Sequence, residues 1–215
     1  MNLSVIIPAL NEAAVLKGAF LSVGEGVEVI VADGGSTDGT VELALSLGAR
    51  VIRADRGRGA QMDAGALAST GGALLFLHAD STLPPGWAGA VTKALGERGV
   101  AGGAFRLAIG SGKRRFRVIE RAVALRCRAL GLIYGDQALF VKREVFFRAG
   151  GFNKLPLMED VDCVKRLRRH GRIVLLDKPV TTSPRRWERK GALAVTLKNL
   201  AILSLYFAGV PPGRL

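Results

Sequence analysis

The chain has 215 residues, 49% hydrophobic and 23% charged, which gives enough apolar material for one core and no clear excess for a second. Its formal net charge of +13 points to a polyanionic partner: nucleic acid, an anionic membrane surface or a phosphorylated substrate. The two cysteines, Cys127 and Cys163, sit in no CxxC or Cys/His cluster, which argues against a disulfide framework and a structural zinc site. The basic runs lack interleaved aromatics and no helix-turn-helix or RNP-like pattern occurs, which argues against nucleic acid. A generally basic chain with no electrostatic partner fits the charge as well.

The first apolar run, at 3–8, begins too early to leave room for a signal peptide, so the expectation is an intracellular, cytoplasmic protein. It ends in Pro8-Ala9-Leu10-Asn11-Glu12. A second run at 28–32 ends in Asp33-Gly34-Gly35-Ser36-Thr37-Asp38-Gly39-Thr40, and strand-like runs follow at 50–54, 73–78, 101–108, 138–142 and 173–176. Helix-compatible segments separate most of them, the pattern of a single α/β domain with a mostly parallel sheet covered on both faces. Two buried-type strands that each end in a polar turn bring Asn11, Glu12, Asp33 and Asp38 to one rim, where open α/β sheets bind ligands. Thr37 or Asp38 is placed to cap a helix reaching Leu47, and Pro84-Pro85 to open one reaching Leu95.

Four constellations carry chemistry. Asp33 stands at a strand end before a Gly pair that permits close approach, and its carboxylate suits a base or a ribose; a tight turn fits the segment equally. Leu74-Leu75-Phe76-Leu77-His78-Ala79-Asp80 is an apolar strand ending in a carboxylate, for which a divalent cation on a diphosphate is a fitting partner. His78, two residues earlier, shares its strand face and is a second ligand or phosphate contact, or a hydrogen-bonded structural residue. Met158-Glu159-Asp160-Val161-Asp162 opens a helix with carboxylates, which favour a helix N-terminus and also suit a general base. Ser183-Pro184-Arg185-Arg186-Trp187 sets guanidinium groups for phosphate oxygens beside an aromatic face, or forms a solvated basic loop over a packed Trp.

Between 113 and 131, Phe116, Ile119, Val123, Cys127 and Leu130 recur at helical spacing among arginines. The pattern fits a core-facing stripe with a solvated basic face, and also a helix lying on an anionic membrane. The apolar segment 192–210 is interrupted by Lys198 and Asn199 and is read as a packing or membrane-contacting helix, not a spanning one.

In their order along residues 3 to 190, these blocks resemble the family 2 nucleotide-sugar glycosyltransferases of the GT-A fold. The resemblance implies a GT-A domain with a mixed sheet of about seven strands, its donor half at 1–100, its acceptor half at 101–190 and an apolar helix at 191–215. It implies inverting transfer of one sugar from a nucleoside-diphosphate sugar to an acceptor hydroxyl. Asp33 would hold the donor base, with Pro8, Leu10 and Glu12 as the neighbouring wall and Arg58 approaching the nucleotide. Ala79 and Asp80 would face the donor, with Asp80, and His78 as second ligand, holding Mn2+ or Mg2+ on the diphosphate. Asp160, with Glu159 beside it, would be the catalytic acid pair, Asp160 deprotonating the acceptor. Gly135, Asp136 and Gln137 would form the acceptor loop, with Arg185, Arg186 and Trp187 as the later Arg-Trp element.

The usual Asp-x-Asp reads His78-Ala79-Asp80 here, matching a subgroup of short bacterial members. The full Gln-x-x-Arg-Trp form of processive synthases is absent, which favours single-sugar transfer. The acceptor is open; a lipid-linked one at the inner face of a membrane fits the basic and apolar surface. A pyrophosphate loop or GxGxxG after the first strand, expected of a nucleotidylyltransferase or a dinucleotide oxidoreductase, is missing. An inactive nucleotide-sugar or anionic-lipid binding protein on the same fold is the alternative reading.

Overall fold

A computed structural model describes residues 1–214. In chain order the elements are β1 (Leu3–Ala9), α1 (Ala13–Val23), β2 (Glu28–Asp33), α2 (Thr40–Ser46), β3 (Arg50–Arg53), α3 (Arg58–Ala68), β4 (Ala73–Phe76), β5 (Ser81–Thr82) and α4 (Trp87–Gly96). Then follow β6 (Val100–Ile109), α5 (Arg114–Leu130), a 3₁₀ turn (Gly135–Gln137), β7 (Phe140–Lys142), α6 (Arg143–Arg148), α7 (Glu159–Leu167), β8 (Arg172–Thr182), α8 (Arg185–Lys190) and α9 (Ala192–Phe207). A second 3₁₀ turn, Pro212–Arg214, ends the described chain.

Among the described residues the strands form one eight-stranded sheet in the order β3-β2-β1-β4-β7-β6-β8-β5. Neighbours from β3 to β4 run parallel, β7 runs antiparallel to both β4 and β6, and β8 runs parallel to β6. The strand beyond the expected seven is β5, two residues paired antiparallel to the end of β8, too short to leave a periodic signal. Side chains alternate across the sheet, so Val5 and Ile7 join one core with Leu16, Leu75, Trp87 and Phe140, while Ile6 joins the other with Met62, Phe76, Phe146 and Leu167. Phe76, Phe146 and Phe152 pack ring to ring at 4.9–5.4 Å between centroids.

The first two strands are stitched together at their C-terminal ends. Buried Gln61, on α3, donates from its amide to the carbonyls of Ala9 (2.6 Å) and Ala32 (2.9 Å). Asn11 receives the Thr37 N–H at 2.8 Å, and the Asn11 N–H donates to the Ser36 hydroxyl at 2.9 Å. The expected Thr37 or Asp38 cap on α2 is replaced by Gly39 with left-handed φ and no side-chain cap. Instead the Thr40 hydroxyl and Asp38 receive the N–H groups of Glu12 and Ala13, so this turn closes the start of α1.

On α5 the inward stripe is Phe116, Ile119, Val123 and Cys127, each packed in a core cluster; the side chain of Leu130 lies outside the described residues. No helix among the described residues is long and apolar enough to cross a membrane.

Gly102 in β6 lies so close to β7 that a Cβ there would collide with the Phe140 carbonyl oxygen. Gly102→Ala is expected to lose about 1–3 kcal/mol of stability in urea unfolding, the range for overpacking. Gly89→Ala, inside α4 with open space around it, is expected to gain about 0.4–1 kcal/mol in the same measurement.

Candidate active site

β4 ends at Phe76, and the next residues bend into a turn closed by Ser81 N–H donating to the His78 carbonyl at 3.0 Å. The shared strand face expected for His78 and Asp80 is therefore absent, because the alternation stops before either residue. Both side chains nevertheless line one cavity of about 350 Å³ with Arg58, Tyr134, Gly135, Asp136, Met158, Asp160, Arg186, Trp187, Lys198 and Asn199.

α7 presents Asp160 in its first turn. One carboxylate oxygen accepts the Gly135 N–H (2.5 Å) and the other accepts the Val161 N–H (2.7 Å), which fixes the group's orientation. Arg58, at the start of α3, hydrogen-bonds Glu159 and comes within 3.9 Å of Asp160. The Glu159 side chain is 2% exposed against 40% for Arg58, so Glu159 stands behind the guanidinium and away from the cavity. Burial opposes the Arg58 charge, but Asp160 and Glu159 outweigh it and hold its pKa above the ordinary value.

Gly135 is a packing requirement. A Cβ there would stand 2.9 Å from His78 Nε2 and 3.3 Å from Asp160 Oδ2, so bare backbone separates the imidazole from the carboxylate. Burial, then Arg58 and Arg186, push the His78 pKa down to about 3, which keeps the ring neutral. Burial is the main cause that raises the Asp136 pKa, with Asp160 adding to it against Arg126, Arg58 and Arg186.

The buried side-chain polar atoms without a hydrogen-bond partner among the described residues are His78 Nε2, Asp136 Oδ1 and Glu159 Oε2. Leaving such a group unsatisfied costs about 1–3 kcal/mol, so the two on residues that line the cavity, His78 and Asp136, mark it as a place for a ligand, while Glu159 lies behind it. Backbone strain coincides with it. The described non-glycine residues with positive φ are Asn11 (56°), Ala138 (48°) and Met158 (64°), which follow β1, follow the 135–137 turn and precede α7.

Arg185 bridges Asp80, which lines the cavity, to Glu12 beyond β1, reaching Glu12 at 3.2 Å and Asp80 at 3.8 Å. Arg186 is steadied by Asn199 at 2.8 Å. Pro8 and Asp33 lie at the paired ends of β1 and β2, with Leu10 and Glu12 just beyond β1. Asp33 is buried and accepts the N–H groups of Gly35 (2.9 Å) and Ser36 (3.1 Å), while Ala79 is buried in the core. Gln137 turns inward: fully buried, it donates to the Phe105 carbonyl and receives the Tyr134 N–H, so it pins the loop and does not meet the cavity. Trp187 is buried edge-on to Phe116, with centroids 6.3 Å apart.

Tyr134, Met158, Lys198 and Asn199 line the cavity without having been singled out for it. A polar pair inside an otherwise apolar helix was the signal that could have found the last two.

No group of three or more His, Cys, Asp or Glu side chains able to hold a metal occurs among the described residues. Asp80 supplies one carboxylate, while the neutral, unpartnered ring nitrogen of His78 is turned toward Gly135. A lone carboxylate fits a cation carried in on a diphosphate, which completes its shell with phosphate oxygens and water, and not a resident all-protein site.

Residues 4–159 match the family described as glycosyl transferase family 2. The chain belongs to that family. A PGL/p-HBAD biosynthesis glycosyltransferase of Mycobacterium tuberculosis is 41% identical over 91 residues, covering 37% of this chain and 36% of the relative; the match spans little over a third of either protein. Among solved structures, S. aureus TarS overlays with a TM-score of 0.69 at 17% identity, over 86% of this chain and 61% of that one. Glucosyl-3-phosphoglycerate synthase from Mycobacterium tuberculosis, in complex with Mn2+ and UDP-glucose, gives a TM-score of 0.68 at 22% identity, over 98% and 80%. At these identities the overlays show the fold, and the family 2 domain has the GT-A architecture.

Asp136→Asn removes a carboxylate that is reluctant to ionise where it stands. Because its folded pKa is raised, the wild type loses stability as pH rises from the ordinary carboxylate range through that higher value. The variant is expected to melt at a higher temperature than wild type at pH 8, with the advantage shrinking as the pH is lowered toward 4; thermal melts across that range check it.

Proposed function

We propose that this domain transfers a single sugar, with inversion, from a nucleoside-diphosphate sugar to an acceptor hydroxyl, with Asp160 as general base. The observation that carries the reading is the company the cavity keeps: Asp160, its carboxylate fixed by the Gly135 N–H, lines it together with Asp80 and Arg186, and Arg185 approaches Asp80 to 3.8 Å. The donor base lies at Asp33 against Pro8, Leu10 and Glu12, and the diphosphate faces the two arginines, Ala79 and Asp80. A divalent cation held there by Asp80 would screen the charge of the departing diphosphate; His78, the second ligand expected from the sequence, turns its Nε2 toward Gly135 and the Asp160 carboxylate instead. On this reading the His-Ala-Asp turn is the one of the short bacterial members of the family. Complexes of the like-folded synthase with Mn2+ and UDP-glucose, and of TarS with UDP, support a uridine nucleotide as the first donor to try.

The acceptor hydroxyl hydrogen-bonds to Asp160 within reach of the Gly135-Asp136 loop. Its oxygen attacks the anomeric carbon from the face opposite the diphosphate, its proton passes to the Asp160 carboxylate, and the bond to the diphosphate oxygen breaks with both electrons. Arg58 lies beside the base, and Glu159 is a positioning residue that holds Arg58. Residues 1–100 serve the donor and 101–190 the acceptor, except that Arg185 and Arg186 reach back to the diphosphate, and α9 is the apolar helix of the segment that follows.

Asp160→Asn is expected to lower the transfer rate about 10²–10⁴-fold while donor affinity by calorimetry stays unchanged. Unchanged turnover removes Asp160 from the base role. Donor binding in a wild type that shows no transfer or donor hydrolysis would favour the inactive binding protein. A calorimetric panel of nucleoside diphosphates with and without Mn2+ is expected to show one nucleotide bound more tightly with metal, and Asp80→Ala to remove the metal's contribution.

A further inference from the structure

α9 is mostly apolar, interrupted by Thr196, Lys198, Asn199 and Ser204, a composition suited to a buried or lipid-facing helix, yet it lies at the surface. Its inner side holds Val195 in a small cluster with Ile109, Phe116 and Trp187 and turns Lys198, Asn199 and Ile202 to the cavity. Its outer side leaves Leu197, Leu200, Leu205 and Phe207 46–57% exposed. Four large apolar side chains open to water on one helix mark a contact surface. At 16 residues, about 24 Å by helical rise, α9 is too short to span a bilayer core.

Charge selects the occupant. No acidic residue follows Glu188, while Arg189, Lys190, Lys198 and Arg214 do. α5, joined to α9 through Phe116 and Trp187, exposes Val118 and Leu125 among Arg114, Arg115 and Arg121. A second copy of the chain would bring +13 against +13, whereas an anionic lipid leaflet complements both the charge and the apolar surface.

We infer that α9 lies in the headgroup layer of an anionic leaflet, with the basic face of α5 beside it. Because α9 is a wall of the cavity, the mouth then opens at headgroup level. The acceptor is accordingly an amphiphile resident in the leaflet that presents its hydroxyl there. The clause about the acceptor rests on the function proposed above; the membrane surface does not.

The test is flotation of the full chain with phosphatidylcholine vesicles, with and without about 30 mol% phosphatidylglycerol, at low and high salt. Wild type is expected to float with the anionic vesicles only, less so in high salt. The triple variant Leu197→Ser, Leu200→Ser, Leu205→Ser is expected to lose at least about ten-fold in partitioning. Its melting temperature and nucleotide calorimetry, unchanged from wild type, show that the fold and donor site survive. No flotation at low salt, or equal flotation of the variant, overturns the inference. So does a lipid-free dimer in light scattering that the three substitutions abolish, which assigns the face to a second copy. Flotation without nucleotide binding would instead remove the function and leave the membrane surface standing.

Discussion

The ion pair between Arg58 and Glu159 joins residues 101 positions apart in the chain, and the site is arranged around it. Glu159 is almost wholly buried, and an ionised carboxylate there is tolerable only with a cation against it. The pair fixes the start of α7 to the start of α3, and that sets Asp160 in the next position. Asp160 in turn holds the Gly135 N–H, and the turn that follows carries Asp136 to the cavity. Removing Arg58 would leave the Glu159 charge buried and unpaired, and every later contact in this series would lose its anchor.

The electrostatic layout is more specific than the net charge suggests. A surface with an excess of arginine encloses a cavity in which Asp80, Asp136 and Asp160 lie among Arg58 and Arg186. A substrate with an anionic diphosphate and a hydroxyl to be deprotonated finds both kinds of charge there. The neutral imidazole of His78 lies beside Gly135, adding a hydrogen-bonding atom there without adding charge.

Much of this was legible in the sequence, for local reasons. The runs ending at Ala9 and Asp33 announced both strands and their polar turns, and helical spacing announced the inward stripe of α5. The features that escaped depend on bends and on contacts across the chain. Alternation placed His78 and Asp80 on one strand face, but the strand ended two residues before His78. Asp38 reads as a cap for its own helix; besides the Thr40 N–H at the start of that helix it accepts the Ala13 N–H at the start of α1, a partner that spacing cannot reveal. Gln137 reads as a ligand contact because it follows Gly135 and Asp136, but only the fold shows the Phe105 carbonyl waiting behind it. Lys198 and Asn199 looked like interruptions of an apolar helix because nothing local says which side of α9 faces the cavity.

The left-handed backbone at Asn11, Ala138 and Met158 has a consequence for how the site meets its ligands. Asparagine tolerates that conformation; alanine and methionine adopt it only where their surroundings leave no alternative. The loops at Ala138 and Met158 are thus held in a costly backbone before anything binds, and Met158 lines the recess, so that part of its wall is set during folding and not by the incoming molecule. A recess preset in this way needs little rearrangement on encounter, and discriminates by rejecting what does not fit its resting form.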